Sequence, residues 1–304
     1  MTETIDTAGN AALPQTLMFS EAAEAADAVA RLLAANREAL AALGERLRAA
    51  PPAVVVTCAR GSSDHAATYG KYLIETLLGV PVASAAPSVS SVYAAPMAPG
   101  TALVIAVSQS GRSPDLLATV SAYQAAGAHV VAFVNDEDSP LAAMADTMIA
   151  LKAGPERSVA ATKSYICALA AFAALTAAWS QNELLVKAID TLPDMLALAF
   201  GANWTSVVDA LADANNLFVI GRGYGYGIAQ EAALKLKETC ALHAEAFAQC
   251  GQRRAVGGKQ PRDRVGGFGG FAEHQGWRRH GSRGDSLGHG MPPGWRPCAS
   301  VRCR

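Results

Sequence analysis

Small hydroxyl-bearing side chains cluster where an apolar run of the sequence ends. The run extends from Ala102 to Val107 and is rich in β-branched residues, which is typical of a strand buried on both faces. A helix is predicted to begin at Pro114, because proline is favoured in the first turn. A hydroxyl-lined turn before a helix can bind an anion, since the hydroxyls and the free helix N–H groups both donate hydrogen bonds. The sequence therefore predicts a phosphate pocket formed by Ser108, Gln109, Ser110 and Ser113.

The same arrangement occurs earlier in the chain. An apolar run from Ala53 to Cys58 leads to Gly61, Ser62 and Ser63, and a helix is predicted from about His65. In a parallel sheet both turns would lie at the carboxyl edge, where ligands bind. Small polar residues are common in ordinary loops, but their repetition favours a shared binding site.

A third, glycine-rich turn extends from Gly221 to Gly227, between a strand predicted over residues 215–220 and a helix predicted over Gln230 to Cys240. Its glycine spacing does not match G-x-G-x-x-G, and no acidic residue follows at the required distance, which argues against a nicotinamide or flavin site. The histidines are scattered along the chain. The sequence therefore predicts neither a metal nor a cofactor.

Lys235 and Glu238 lie three residues apart in the helix predicted over Gln230 to Cys240, so they share one face of that helix. A carboxylate beside an acidified C–H bond can move a proton between adjacent carbons without a metal, as aldose–ketose interconversion requires. From the spacing alone, a surface ion pair is the commoner explanation.

The α/β fold class follows from alternating apolar runs and helical stretches over residues 51–152, which predict a parallel sheet of about five strands with helices on both faces. One long helix is predicted over residues 18–50. After an alanine-rich helix to about Ser180, residues 182–214 have a helical pattern with breaks near Pro193 and Gly201. Because the second half begins as the first did, the sequence predicts a two-fold internal repeat.

Four segments together resemble the sugar isomerase (SIS) family. They occur in the family's order, and the resemblance covers about residues 20–248. It is nearest to the isomerase half of the glutamine–fructose-6-phosphate aminotransferases and to the glucosamine-6-phosphate deaminases that have no glutaminase domain. It implies two tandem SIS units with flavodoxin-like parallel sheets, the second one truncated. The four segments are Ala59-Arg-Gly-Ser-Ser-Asp-His65, Ser108-Gln-Ser-Gly-Arg-Ser-Pro-Asp115, Val159-Ala-Ala-Thr-Lys163 and Gln230-Glu-Ala-Ala-Leu-Lys-Leu-Lys-Glu-Thr-Cys-Ala-Leu-His-Ala-Glu-Ala246.

The resemblance implies a function as well as a fold. An intact chain of this kind would interconvert fructose 6-phosphate plus ammonia with glucosamine 6-phosphate, without a cofactor and as a homodimer. Weak or absent activity is expected of this chain, because the second unit is truncated and the family's ring-opening histidine has no counterpart after Phe247. Glu238 would move the proton between C1 and C2 of the sugar, with Lys235 beside it and His243 on the same segment. The hexose 6-phosphate would be bound by Gly61, Ser62, Ser63, Ser108, Gln109, Ser110, Ser113, Val159 and Ala161.

A second function stays open, because SIS modules also occur in non-catalytic regulators that bind a phosphosugar. A DNA-binding helix-turn-helix before residue 50 would favour a regulator, but residues 18–50 have the pattern of one long helix without a basic face. No cysteine nucleophile follows Met1, and no segment of glutaminase length precedes the isomerase motifs. Free ammonia, not glutamine, is therefore the expected nitrogen partner.

The resemblance divides the chain into a disordered N-terminus (1–17), a helical lead-in with the first SIS domain (18–180), the start of a second SIS domain (181–248) and a tail (249–304). The tail contains 13 of the 27 glycines and carries ten Arg and one Lys against three acidic residues, a net charge of +8. It contains no His-Gly-Pro turn, where the family has its ring-opening histidine. A shifted reading frame explains this composition; the alternative is a natural basic tail that binds nucleic acid.

Composition indicates a cytoplasmic location. No uninterrupted apolar run reaches the roughly 20 residues that cross a bilayer, and the acidic N-terminus does not resemble a signal peptide. The six cysteines have no paired spacing, so neither a disulfide framework nor a zinc site is expected. Cys58, Cys167 and Cys240 lie in apolar contexts and are predicted to be buried thiols. No membrane partner is expected.

Overall fold

A five-stranded parallel sheet forms the centre of the structure, a computed structural model that describes residues 16–98 and 100–248. The strand order is β2-β1-β3-β4-β5, and every neighbouring pair is parallel. The predicted parallel α/β fold is therefore confirmed for this part of the chain. The strands are β1 (Val54–Cys58), β2 (Val82–Ser84), β3 (Ala102–Ser108), β4 (His129–Val134) and β5 (Thr147–Ala150).

Alternate residues of each strand enter one of two apolar layers. Val55, Ile105 and Phe133 belong to the layer on one face, with side chains of α2 (Ala25–Ala49), α3 (Ser62–Leu78) and α7 (Lys163–Ser180). The other face of the sheet packs against α5 (Pro114–Ala125) and α6 (Pro140–Met144), and α4 (Pro87–Ser91) lies beside α5. Since both faces are covered, the strands contain continuous apolar runs.

Helix α7 is the most deeply buried helix of the first layer. Its Phe172 ring lies 4.9 Å from the ring of Phe133 in an edge-to-face contact, and Gly70 leaves room for it: a Cβ at that position would lie 2.2 Å from Phe172 Cδ1. In the described part of the chain, α7 alone is long and apolar enough to cross a membrane, but 78% of it is buried inside the fold. Its apolar composition is thus explained by its place in the core.

The long helix predicted over residues 18–50 is divided at Glu24 into α1 (Leu17–Ala23) and α2. Helix α2 covers the edge strand β5 through the buried amide of Asn36. That amide donates to the carbonyl of Ala150 (2.8 Å) and accepts from the Ala150 N–H (3.0 Å). The exposed edge of the sheet is therefore paired with a side chain at this point.

Glu21 of α1 holds the segment that precedes α7. Its carboxylate is buried and accepts hydrogen bonds from the N–H groups of Arg157 (2.6 Å) and Ser158 (3.3 Å) and from the Ser158 hydroxyl. Burial alone would raise the pKa of Glu21, but these donors hold it below its ordinary value of 4.5. Ionised Glu21 therefore stabilises the fold more than protonated Glu21 does.

We expect Glu21→Gln to destabilise the chain by about 1–3 kcal/mol at pH 7, since a charged acceptor of several hydrogen bonds is lost. A lowered folded-state pKa contributes stability above pH 4.5, and this contribution disappears as the pH falls through the folded-state value. The difference between variant and unmodified chain should therefore shrink below pH 4.5 in urea unfolding curves. Glu45→Gln, an exposed change on α2, is the control. A difference independent of pH would contradict this role.

The second half begins with α8 (Glu183–Phe200) and α9 (Thr205–Leu211). The predicted helix break near Gly201 is confirmed. The prediction of a break at Pro193 is wrong, because α8 continues through this proline. Pro193 has no N–H, so the backbone carbonyl four residues before it lacks its usual helical donor. Because helix α8 contains no buried residue, water can donate a hydrogen bond to that carbonyl instead.

A βαβ unit follows, in which β6 (Asn216–Gly221) pairs in parallel with β7 (His243–Ala248) through α10 (Tyr224–Cys240). Strand β7 was not predicted from the sequence, and it gives β6 a parallel neighbour. The helix ends at Cys240. This cysteine was predicted to be buried, but it is exposed. Ala241 turns the chain after the helix with a φ of 53°. Cys58 and Cys167 are buried, as predicted.

One face of the β6–β7 pair is open in the described part of the chain. Phe218 and Ile220 are 71% and 61% exposed, and Phe247 packs its ring 5.2 Å from that of Phe218. Val219, which lies between them on β6, is half-buried, because alternate residues face α10. The predictions of a disordered N-terminus and of a frameshifted or nucleic-acid-binding tail fall on residues outside the described ranges, apart from Thr16 and Leu17.

Candidate active site

A tight turn follows β3 at the carboxyl edge of the sheet. The Ser108 hydroxyl accepts a hydrogen bond from the Gly111 N–H (3.0 Å) and closes the turn. Gly111 has a φ of 62°, and a Cβ there would lie 2.2 Å from Ser139 Oγ. Only glycine can occupy this position without displacing its neighbours.

Helix α5 begins immediately after this turn. Ser113 occupies its N-cap position, but its hydroxyl makes no capping hydrogen bond. The helix N-terminus therefore retains donors of both kinds, free N–H groups and a half-buried hydroxyl. These are the groups that bind a phosphate at the start of a helix. Gln109 is half-buried and Ser110 exposed in the same turn.

The turn after β1 lies next to this one, because β1 and β3 are neighbours in register from Val54↔Ala102 to Cys58↔Ala106. An ion pair between Arg60 and Asp115, 3.1 Å long, joins the two turns. Helix α3 starts at Ser62, three residues earlier than predicted, so Ser62 and Ser63 lie in its first turn. The reason is Gly61, whose φ of 55° turns the chain into the helix.

Helix α10 also starts earlier than predicted, at Tyr224, directly after Gly223. Gly223 has φ 57° and ψ −129°, and Gly61 has φ 55° and ψ −131°. The two strand-to-helix turns thus share one backbone geometry. Of the predicted glycine turn, Gly225 and Gly227 belong to the helix.

Helix α10 packs closely on α3, and this contact forms the site. Gly227 allows the approach, since a Cβ there would lie 2.5 Å from the His65 carbonyl oxygen. Farther along α10, the Lys235 ammonium lies 3.2 Å from Ser62 Oγ and 3.0 Å from Glu238 Oε2. The contact places the Lys235–Glu238 pair beside the first turn of α3.

Residues 53–178 match the sequence profile of the SIS domain. A candidate phosphosugar isomerase from Silicibacter pomeroyi, known from its crystal structure, is 45% identical with a TM-score of 0.74, over 77% of this chain and 71% of that one. The chain belongs to the SIS domain family.

Other relatives of this SIS domain are aminotransferases. The glutamine–fructose-6-phosphate aminotransferase of Symbiobacterium thermophilum is 37% identical over 214 residues, 66% of this chain and 34% of that enzyme. The C-terminal domain of the glucosamine-fructose-6-phosphate aminotransferase from Francisella tularensis shares the fold, with a TM-score of 0.65 at 24% identity over 80% of this chain and 72% of that one. The chain spans about a third of the length of the curated relatives that it matches.

Two residues beside the Lys235–Glu238 pair were not singled out from the sequence. His65 Nδ1 lies 2.8 Å from Glu231 Oε2, and Glu231 Oε1 lies 3.1 Å from Lys235 Nζ. Burial would raise the pKa of Glu231, but His65, Lys235 and Ser62 together lower it. His65 and Glu231 are 166 residues apart, so no local spacing could have paired them. Their only sequence signal was their presence in two of the four family-like segments.

The remaining predicted residues, Val159 and Ala161, lie in the segment before α7 of the SIS domain. Val159 is fully exposed and Ala161 is half-buried. Glu156 fixes the end of this segment, because its Oε1 accepts from the N–H groups of Thr162 (2.8 Å) and Ser164 (3.2 Å). A role of Val159 and Ala161 in sugar binding remains a prediction.

His243 is exposed on β7, and its Nε2 lies 4.0 Å from Glu245 Oε1. It therefore lies on a strand and not on the helix of Lys235 and Glu238. Within residues 16–98 and 100–248, no three His, Cys, Asp or Glu side chains are grouped so that they could hold a metal ion.

Proposed function

We propose that this chain binds a hexose 6-phosphate at the carboxyl edge of β1 and β3 and catalyses proton transfer between C1 and C2 of the sugar. The reaction that the resemblance implies is the interconversion of fructose 6-phosphate plus ammonia with glucosamine 6-phosphate. The main supporting observation is the 3.2 Å contact between Lys235 Nζ and Ser62 Oγ. It joins the helix of the proposed base, Glu238, to the helix whose first turn would contact the phosphate.

The charges of the two turns favour a phosphate held by hydroxyls and N–H groups. Arg60 and Arg112 lie in the turns, but each pairs with a carboxylate, Asp115 at 3.1 Å and Asp136 at 2.7 Å. The guanidinium groups therefore fix the turns and leave the hydroxyls of Ser63, Ser110 and Ser113 to donate to the ligand. A dianionic ligand gains most from such donors at a helix N-terminus.

In the proposed reaction, the Glu238 carboxylate removes a proton from C1 of the open-chain ketose. The C–H electrons form a C1–C2 double bond, and the carbonyl electrons move to O2. Glu238 then returns the proton to C2 while the O1 hydroxyl proton moves to O2 and a carbonyl forms at C1, which gives the aldose. When ammonia has first condensed with the C2 carbonyl and water has left, the imine nitrogen takes the place of O2 in the same steps, and the product is glucosamine 6-phosphate. The Glu238 side chain is 40% exposed, so it is accessible from solvent.

Residues 181–248 are proposed as the start of a second SIS unit, supported by the matched turn geometry at Gly61 and Gly223. We also propose that the chain forms a homodimer, as the resemblance implies. Sedimentation analysis of the full chain should give a mass of about twice 31.3 kDa. A monomer at micromolar concentration would contradict it.

Titration calorimetry of the full chain tests the ligand assignment. We expect fructose 6-phosphate and glucosamine 6-phosphate to bind, and unphosphorylated fructose to bind at least tenfold more weakly. Ser113→Ala should weaken sugar-phosphate binding about tenfold or more, since a hydrogen bond to a charged group contributes about 1.5–3 kcal/mol. It should leave the melting temperature unchanged, because this hydroxyl does not cap α5.

A nucleotide that binds while neither sugar phosphate does would contradict the assignment. Sugar-phosphate binding without any proton exchange at C1 would instead identify a phosphosugar-binding regulator.

A further inference from the structure

Lys163, the first residue of α7, carries a buried charge that the proposed reaction does not use. Its side chain is 1% exposed, and its ammonium donates to Glu24 Oε2 (2.6 Å) and to the carbonyl of Pro155 (3.0 Å). A buried ammonium is costly unless such acceptors compensate for the water that it loses. Glu24 lies at the corner between α1 and α2. Lys163 therefore connects that corner to the segment of residues 155–163, which leads into α7.

The 155–163 segment is closed at its ends by two contacts. One is the hydrogen bond from Lys163 to the Pro155 carbonyl, which joins the last residue to the first. The other is made by Glu156, whose Oε1 accepts from the N–H of Thr162 (2.8 Å). A loop whose ends are tied together has fewer conformations to lose when it contacts a ligand.

Glu21 of α1 holds the middle of this segment. Its buried carboxylate accepts hydrogen bonds from the N–H groups of Arg157 and Ser158 and from the Ser158 hydroxyl. Burial raises the pKa of Glu21, but these hydrogen bonds lower it, and the positive charge of Lys163 lowers it further. Glu21 and Glu24 are three residues apart, so one corner of the chain supplies two carboxylates that hold the segment from outside.

Val159 lies between two fixed residues of the segment. Ser158 before it is held by Glu21, and Ala160 after it is 4% exposed. Val159 itself is fully exposed, so its side chain adds nothing to the core of the fold. An apolar side chain on a fixed backbone is suited to contact a ligand, because little conformational freedom remains to be lost on binding.

We infer that Glu21, Glu24 and Lys163 are positioning residues for the sugar end of the substrate, an inference that rests on the proposed function. They hold residues 159–161, which the resemblance assigns to sugar binding, in the conformation that the ligand needs. The phosphate is bound by the turns after β1 and β3, which are held by contacts of their own. The preference of the site for a hexose 6-phosphate over free phosphate thus depends on the corner between α1 and α2.

Calorimetry with the full chain tests this through the ratio of two affinities, that for fructose 6-phosphate divided by that for inorganic phosphate. Glu24→Gln removes the negative charge beside Lys163 and keeps the shape of an exposed side chain. We expect the ratio to fall about fivefold, because a loosened segment must be ordered again on binding. The affinity for inorganic phosphate should stay within about twofold. Glu38→Gln, an exposed change on α2, is the matched control and should leave the ratio unchanged.

Ser158→Ala is a second variant, and it leaves Lys163 in place. It removes the hydroxyl that donates to Glu21, so the same ratio should fall by about threefold. Amide hydrogen exchange measures the anchoring of the segment without a ligand. We expect the Arg157 N–H to exchange at least about threefold faster in Glu24→Gln and in Ser158→Ala than in the unmodified chain, and at an unchanged rate in the control.

Four results would overturn the inference. Unchanged amide exchange at Arg157 in both variants would show that these contacts do not anchor the segment. An unchanged affinity ratio, with fructose 6-phosphate still bound, would show that the anchoring does not serve the sugar, and would leave the proposed function standing. Equal losses of affinity for fructose 6-phosphate and for inorganic phosphate would show that the contacts only stabilise the fold. An unmodified chain that does not bind fructose 6-phosphate would reject the proposed function, and this inference with it.

Discussion

Glu238→Gln is expected to slow deuterium exchange at C1 of fructose 6-phosphate by about 10²–10⁴-fold, the range in which a general base contributes. The amide has the shape of the carboxylate but cannot accept the proton. Because the Glu238 side chain is 40% exposed and Lys235 keeps its contact with Glu231, the fold should not change. Calorimetry should give a fructose 6-phosphate affinity within about threefold of the unmodified chain.

Glu245→Gln is the matched control for this prediction. Glu245 lies on β7, and its side chain is 54% exposed, so the change removes a nearby surface charge without touching Lys235. We expect exchange to stay within twofold. Full exchange in Glu238→Gln would exclude Glu238 as the base. Equal losses in both variants would mean that overall charge, not a specific carboxylate, controls the reaction.

Gly227→Ala is expected to separate α10 from α3. Its Cβ would lie 2.5 Å from the His65 carbonyl oxygen and 3.0 Å from the Tyr69 nitrogen, and these backbone atoms cannot rotate away. Overpacking of this kind costs about 1–3 kcal/mol of stability. Since Lys235 and Glu238 are carried by the displaced helix, exchange should fall about 100-fold as well.

Gly225→Ala, two residues earlier on the same helix, provides the comparison. A Cβ at Gly225 would have no other atom within 4 Å, so alanine meets open space and improves helix propensity by up to about 1 kcal/mol. Urea unfolding should therefore show opposite signs for the two variants. If Gly227→Ala were as stable and as active as Gly225→Ala, the close helix contact would not be what assembles the site.

The parts of this protein that sequence predicted best are those encoded by adjacent residues. The five strands of the sheet are short β-branched runs, and such runs favour strands wherever they are buried. Ser108–Ser113 and the pair Lys235 and Glu238 could be proposed as site residues for the same reason, because their spacing is local. Strand β7 was missed, since its sequence His-Ala-Glu-Ala-Phe-Ala has little β-propensity and becomes a strand only beside β6.

The predicted starts of two helices were wrong, and in both cases a glycine precedes the helix. Gly61 and Gly223 occupy the N-cap positions with positive φ, whereas serine, asparagine and aspartate are the residues most favoured there. The pairing of His65 with Glu231 could not be predicted from the sequence, for a different reason. It depends on how two helices cross, and the crossing is decided by the missing side chain of Gly227.

The separation of Ser62 and Lys235 by 173 residues has a consequence for biosynthesis. At about 5–20 residues per second on the ribosome, the first turn of α3 leaves the peptidyl-transferase centre roughly 9–35 s before Lys235 is made. The central sheet can thus form during translation, with the face of α3 that receives α10 still bare. A nascent chain arrested after residue 180 should already be compact, and protease resistance around His65 should rise only when α10 has emerged.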